Sequence, residues 1–214
     1  MNHDLGKLRQ NYLQGTLSEA NIPDDPLKLF SEWLSTALSR EQHEANAMVL
    51  STVGNDGSPS SRVVLLKEVE ENRFIFFTSY LSRKGREIAH NRQVALLFFW
   101  PATERQVRIT GTAEKIPVPK SEEYFRTRPY ESRIGAHVSR QSEVIGGREW
   151  LEDREKLLKT QYPEGTDIPL PENWGGYAVS PQRIEFWQGR AGRLHDRIEY
   201  RRTGESWEHY RLSP

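Results

Sequence analysis

The chain has 214 residues and no cysteine, which excludes a disulfide framework, a thiolate metal site and a cysteine nucleophile. It also lacks any apolar run long enough to span a bilayer, and its first residues, MNHDLGKLRQNYLQG, contain no apolar signal core. A soluble, cytoplasmic protein is therefore expected. Nor is there an excess of charge: 30 basic and 30 acidic residues give a formal net charge of zero. That balance argues against a protein that coats a polyanion such as DNA, and leaves small anions open as ligands. The GxSxG elbow, HExxH, the Walker loop and the Rossmann glycine pattern are all missing. The pairs Gly146-Gly147 and Gly175-Gly176 read as turns. His3, His43, His90, His137 and His209 show no metal-ligand spacing, so no metal is expected, and the carboxylates form no evident catalytic pair.

What is present is an ordinary globular composition, 36% hydrophobic and 10% aromatic, enough for a real core and too apolar for a disordered chain. Asp24-Asp25-Pro26 supplies capping acids and a proline suited to a first helical turn. Leu27, Phe30, Trp33, Leu34, Ala37 and Leu38 then recur at helical spacing, so a helix is expected to end near Arg40. From Ala47 the pattern turns to strands: AMVLSTV, a turn at residues 54–57, SSRVVLLKEV, and RFIFFTS over 73–79. Ser82 can cap a helix over 83–91, QVALLFFW (93–100) reads as a central strand, and 105–116 alternates as the next. Two short helices are expected around Pro129, and a charged one over about 147–161. The last third returns to strands at GGYAVS, RIEFW, GRLHDRIEY and SWEHYRL. Many short strands with tight turns predict an antiparallel barrel with helices attached, a mainly β (α+β) class.

Four stretches carry chemistry. Arg62 and Lys67 bracket an apolar strand, and side chains five apart point oppositely in a regular strand, so the two cations are expected to serve different neighbours. Arg83 and Lys84 stand at a predicted helix N-terminus, the positive end of the dipole, where cations are misplaced unless an anion is bound. Tyr124 and Arg128 share a helical face, and Pro129 starts a turn that brings in Ser132; all three groups can donate to a phosphate. If 192–200 is a strand, Arg193, His195 and Arg197 share one face, with Leu194, Asp196 and Ile198 on the other, and the basic row requires something electron-rich before it. Each stretch also admits a plain reading, as cations at solvated ends and faces or a ring packed in the core.

Taken together, RVVLLK, FFTSYLSRKGREI, ERQVRITG, YFRTRPYESRIGAHVSRQS and IEFWQGRAGRLHDR, in that order and spacing, resemble the pyridoxine (pyridoxamine) 5'-phosphate oxidase family. The similarity runs from RQNYLQGTL to the terminal RLSP, with SRK and RLHDR its most specific parts. The length favours a single domain over residues 1–214, with the polar stretch 1–22 a mobile N-terminal segment, and the resemblance implies a split β-barrel binding FMN at a homodimer interface to which both subunits contribute. It implies flavin contacts from Arg62, Val63, Val64, Leu65, Leu66, Lys67, Phe77, Thr78, Arg83, Lys84, Gln106, Gln141, Ser142, Trp187 and Arg197. The substrate phosphate falls to Lys67, Tyr124, Arg128 and Ser132, and the pyridine ring to Arg193 and His195, the two residues expected to act in catalysis. Arg9 and Tyr12 match an element that folds over bound substrate, whereas Arg190, in a spacer where the family varies, is given no role. The implied reaction converts pyridoxine 5'-phosphate or pyridoxamine 5'-phosphate, with dioxygen, to pyridoxal 5'-phosphate and hydrogen peroxide, with ammonia released from the amine, in vitamin B6 salvage. A different flavin enzyme on the same barrel, and a barrel that holds single-stranded nucleic acid, are the alternatives.

Overall fold

The computed structural model describes residue 4 and residues 11–40 and 44–214. Arg9 lies outside the described residues. Nine strands and five α-helices follow one another as α1 (Pro26–Arg40), β1 (Ala47–Val53), β2 (Pro59–Leu65), β3 (Glu68–Glu70), β4 (Arg73–Ser79), α2 (Arg83–His90), β5 (Gln93–Trp100), β6 (Arg105–Lys115), α3 (Val118–Thr127), α4 (Tyr130–Val138), α5 (Arg148–Gln161), β7 (Trp174–Gln188), β8 (Asp196–Thr203) and β9 (Ser206–Arg211). The strands hydrogen-bond in the order β2-β1-β5-β6-β7-β4-β3, and β8 pairs with both β7 and β9. Among the described residues no helix is long and apolar enough to cross a membrane. The chain divides into two compact units, one comprising the residues up to Leu50 with Ala95–Gly111 and Pro181–Pro214, the other Ser51–Val94 with Thr112–Ser180.

In the first unit the apolar stripe of α1 buries Leu27, Phe30, Trp33 and Ala37, while Leu38 at its edge is 56% exposed. Pro26 opens the helix and the Asp25 carboxylate accepts from the Leu27 amide at 2.9 Å, so the acidic cap works as its sequence suggests. Phe30 meets Phe98 edge-on at 5.1 Å and Trp33 meets Phe186 at 5.2 Å, joining the helix to strand side chains of the same unit. The C-terminal half of β7 pairs antiparallel with β8, setting Trp187 opposite Arg197, and β8 turns at Gly204 (φ 62°) into β9.

In the second unit β3 and β4 form a hairpin whose central residues, Glu71 and Asn72, both have positive φ, the type I′ geometry that suits the strand twist. The expected strand SSRVVLLKEV is two strands: the extended run stops at Leu65 and resumes at Glu68. GGYAVS and RIEFW are, conversely, one continuous strand, β7. Gly175 and Gly176 are therefore not a turn. They lie inside β7 opposite Thr78 and Phe77, and a Cβ on Gly175 would sit 2.2 Å from the Tyr80 hydroxyl. Close approach, not left-handed backbone, accounts for glycine there.

Gly175→Ala should consequently destabilise the fold by about 1–3 kcal/mol, the usual cost of an extra methyl group in a packed site. A lowered urea midpoint at unchanged m-value would show it; an unshifted midpoint would mean that Tyr80 yields freely.

Candidate functional site

A cavity of about 860 Å³ lies within the second unit. Its wall takes Arg62, Val63, Val64 and Leu65 from β2, Lys67 from the segment after it, and Phe77 and Thr78 from the end of β4. Arg83 and Lys84 come from the first turn of α2, Tyr124, Arg128 and Ser132 from the α3–α4 junction, and Gln141 and Ser142 from the chain beyond α4. Five of the wall residues are cations and none is Asp or Glu. Arg62 and Lys67 both reach this one cavity, although residues five apart point oppositely in a regular strand. The alternation argument fails because β2 ends at Leu65, which frees the chain to turn before Lys67. Leu66, only 5% exposed, packs in the interior and is not on the cavity wall.

Two of the cations are buried or half-buried without an ion pair among the described residues. Ser82 caps α2, its hydroxyl accepting from the Gly85 amide, and this places Lys84 at the positive end of the helix. Lys84 is 7% exposed, and its ammonium donates to the neutral oxygens of Thr78 (3.0 Å), Gln141 (3.0 Å) and Ser82 (3.4 Å). Burial, reinforced by the charge of Arg62, pulls its pKa down to about 8. Arg128 lies over the face of Trp174 at 4.7 Å, and its Nη1 is buried with no hydrogen-bond partner among the described residues. Burial lowers its pKa too. Trp174, Phe77 and Tyr124 stand nearly parallel, with Phe77 and Tyr124 3.8 Å apart, a flat aromatic flank to the cations.

The arginines at the other side of the cluster are tied down by Glu87. This carboxylate accepts from Thr52 (2.5 Å), Ser60 (2.6 Å), Arg83 (2.8 Å) and Arg62 (3.3 Å). Burial alone would raise its pKa, but those hydrogen bonds and the Arg62 charge hold it at about 2. Arg62 also donates to Thr52 and Ser60, so its guanidinium orientation is set by three groups behind it.

A second group belongs to the first unit. Here 192–200 is not a continuous strand: Ala191–Arg193 form a 3-10 turn with Gly192 at φ 65° and Arg193 at φ 63°, and β8 begins only at Asp196. The predicted single face of Arg193, His195 and Arg197 is thus corrected, because two successive left-handed residues break the alternation before Arg193 can join it. His195 packs against Trp187 (4.7 Å) and Tyr12 (5.6 Å), and its Nδ1 accepts from the Arg190 amide at 3.1 Å. Arg197 pairs with Glu185 at 2.9 Å, and Gln106 lies on β6. Gln106, Trp187, Arg193, His195 and Arg197 are all in the first unit, so none lines the cavity of the second.

Residues 34–161 match the family model for pyridoxamine 5'-phosphate oxidase, and residues 174–214 match that for the C-terminal dimerisation region of pyridoxine 5'-phosphate oxidase. The chain belongs to the pyridoxamine 5'-phosphate oxidase family. A pyridoxine/pyridoxamine 5'-phosphate oxidase of Leptospira biflexa is 55% identical over 99% of this chain and all of its own length, and one of Rhodopirellula baltica is 50% identical over 98% and 96%. Among solved structures, PhzG from Burkholderia lata, in complex with tetrahydrophenazine-1-carboxylic acid, superposes with a TM-score of 0.86 at 30% identity, covering 93% of this chain and 98% of its own. A pyridoxamine 5'-phosphate oxidase-related, FMN-binding protein of Nostoc punctiforme gives 0.70 at 19% identity over 86% and 97%, a likeness of fold. The fold is the split barrel of this family, mainly β with flanking helices, as the sequence had indicated.

Several residues in these two groups of this pyridoxamine 5'-phosphate oxidase family member carried no assignment from the sequence. Thr127 and Trp174 line the cavity, Thr52, Ser60 and Glu87 brace Arg62, and Arg190 and Asp196 pair beside His195. Only Glu87 left a signal, four residues after Arg83 on a predicted helix. The others are assembled from separate strands and loops.

Because the unfolded Lys84 titrates near 10.5 and the folded one near 8, the folded apoprotein bears a buried-cation penalty below pH 8, relieved as pH rises from 8 to 10.5. Lys84→Met should therefore stabilise the apoprotein at pH 7, and its advantage over wild type should shrink between pH 8 and 10. Urea titrations at both ends of that range measure this; a constant offset would place the strain elsewhere.

Proposed function

We infer that this chain is an FMN-dependent pyridoxine/pyridoxamine 5'-phosphate oxidase whose phosphate-seeking cavity takes the cofactor and the substrate phosphate side by side. The observation that carries the reading is the state of two cations: Lys84 bonded to neutral oxygens, and Arg128 with a buried nitrogen that has no acceptor among the described residues. Buried cations are expected to be paired, and a phosphate is the group of matching geometry and charge for both. The residues present therefore fit a phosphorylated flavin and a phosphorylated pyridine, and full-length relatives bear the corresponding name.

In this reading Arg62, Arg83 and Lys84 take the cofactor phosphate, with Val63, Val64, Leu65, Phe77, Thr78, Gln141 and Ser142 around the rest of it. Lys67, Tyr124, Arg128 and Ser132 take the substrate phosphate. When bound, FMN supplies a two-electron acceptor for the C4' carbon that dioxygen can reoxidise. The net change is alcohol plus dioxygen to aldehyde plus hydrogen peroxide, or amine plus water and dioxygen to aldehyde, ammonia and peroxide. The protein's own share is orientation: the phosphate anchors fix one end of the pyridine, and Arg193 and His195 fix the ring and manage its protonation. Trp187, Arg193, His195 and Arg197 all fall within the matched dimerisation region, which supports a homodimer in which they and Gln106 complete the cavity of a second copy. Arg9 and Tyr12 are assigned to cover bound substrate, and the setting is the cytoplasm.

PhzG of Burkholderia lata shares the fold and was crystallised with tetrahydrophenazine-1-carboxylic acid, so a flavin enzyme acting on an unphosphorylated ring compound is the second reading. Arg128, with its unanswered donor, favours the phosphorylated substrate. FMN-loaded protein given each vitamer phosphate in air should produce pyridoxal 5'-phosphate and peroxide in equal amounts. No product from either vitamer would overturn the assignment.

Site roles separate by variant. Arg193→Ala and His195→Ala should lower kcat by about 100-fold or more while FMN is retained, as expected when only orientation at the reacting carbon is lost. Lys84→Ala and Arg62→Ala should instead weaken FMN binding, followed by flavin fluorescence. The reverse pattern would exchange the two sets of roles.

A further inference from the structure

The loop from Gly189 to Asp196 is closed twice at a single point. Its entrance is fixed by the Gly189 amide, which donates to the Glu104 carbonyl at 2.8 Å. From there the chain makes its 3-10 turn through Gly192 and Arg193, both in the left-handed region. For a non-glycine residue such as Arg193 that conformation is strained and persists only where the surroundings impose it. The closing contacts both come from residue 190. Its guanidinium pairs with Asp196 Oδ2 at 2.9 Å, and its backbone N–H donates to His195 Nδ1 at 3.1 Å.

Asp196 is well placed to hold that end. Oδ2 also accepts from the Leu17 amide at 3.1 Å, and Oδ1 pairs with Arg211 at 2.9 Å. Its burial would favour the neutral acid, but the hydrogen bonds from Leu17, Arg211 and Arg190 keep its pKa below the ordinary aspartate value, so it is ionised at neutral pH. Tyr12 and Trp187 restrain the plane of the His195 ring, yet neither distinguishes the ring from one flipped by a half-turn. The Arg190 amide does. An N–H facing Nδ1 requires the lone pair there, so the neutral ring carries its proton on Nε2; a flipped ring would set a C–H against that N–H.

We propose that Arg190 is a positioning residue for His195: its ion pair with Asp196 holds the residue 190 amide against Nδ1 and thereby selects the ring orientation and the Nε2–H tautomer. This rests on the reading of His195 as a residue that contacts the pyridine ring. It gives a function to two residues that alternation and family variability had set aside.

The experiment compares FMN-loaded wild type with Arg190→Ala and Arg190→Lys, following vitamer oxidation and the imidazole signals of ¹⁵N-histidine-labelled protein, with His195 assigned by difference from His195→Asn. Arg190→Ala should lower kcat about tenfold, in keeping with the cost of small misplacements at a reacting centre, with KM and FMN content unchanged. Its His195 signals should shift from a single Nε2–H tautomer towards an average of two. Arg190→Lys, which can still reach Asp196, should restore both. Unchanged imidazole signals in Arg190→Ala, or equal losses in the alanine and lysine variants, would overturn the proposal. Should Arg190→Ala not fold, Asp196→Asn is read in the same way. If wild type oxidises neither vitamer, the functional reading fails, while the tautomer comparison still decides the role of Arg190.

Discussion

The cavity of the second unit is organised around two cations, Lys84 and Arg128, that have no ion pair among the described residues. Lys84 is buried at a helix N-terminus, where the dipole opposes it, and its three acceptors are neutral. A cation in that position destabilises the empty protein and stabilises whatever anion arrives, so part of the folding free energy is stored as binding energy. The same logic applies to Arg128, stacked on Trp174 with one nitrogen unsatisfied. The rest of the wall follows from the need to keep such groups in place.

That need explains the carboxylate beneath the site. Glu87 is not on the cavity wall, and by accepting from Thr52, Ser60, Arg62 and Arg83 it fixes two guanidinium groups whose free rotamers would otherwise be costly to order on binding. The arrangement separates attraction from orientation: cations without anionic partners supply the first, and braced arginines supply the second. The first unit, for its part, braces an imidazole. There the ring is packed between Tyr12 and Trp187, and a strained loop presents a backbone donor to one nitrogen. Both devices restrict motion before substrate arrives, as expected of a protein that leaves the redox chemistry to a cofactor.

Much of the fold was legible in the chain itself. The α1 stripe, the Ser82 cap, β4, β5 and the two helices around Pro129 all lie within a residue or so of where periodicity and capping put them. These features depend on neighbours in sequence. Structure and expectation part where backbone geometry is not what residue type suggests: β2 stops at Leu65, Gly192-Arg193 breaks the run before β8, and Gly175 and Gly176 continue a regular strand instead of turning. Alternation arguments hold only while a strand is regular, so the face assigned to Lys67 and to Arg193 changed with it.

The candidate site divides along the same line. Local sequence singled out Arg83 and Lys84, misplaced at a helix start, and Tyr124, Arg128 and Ser132, donors grouped about a proline turn, as candidates to meet an anion; Arg62 and Lys67 joined them through the family resemblance, and the structure brings all seven to one cavity. The order and spacing of the motifs sufficed also for the family. What local sequence could not contain is the pairing of residues far apart along it: Glu87 with Thr52 and Ser60, Arg128 with Trp174, Asp196 with Leu17. Desolvation and hydrogen-bond geometry are properties of the packed chain, and they decide which cations remain unanswered and which are held.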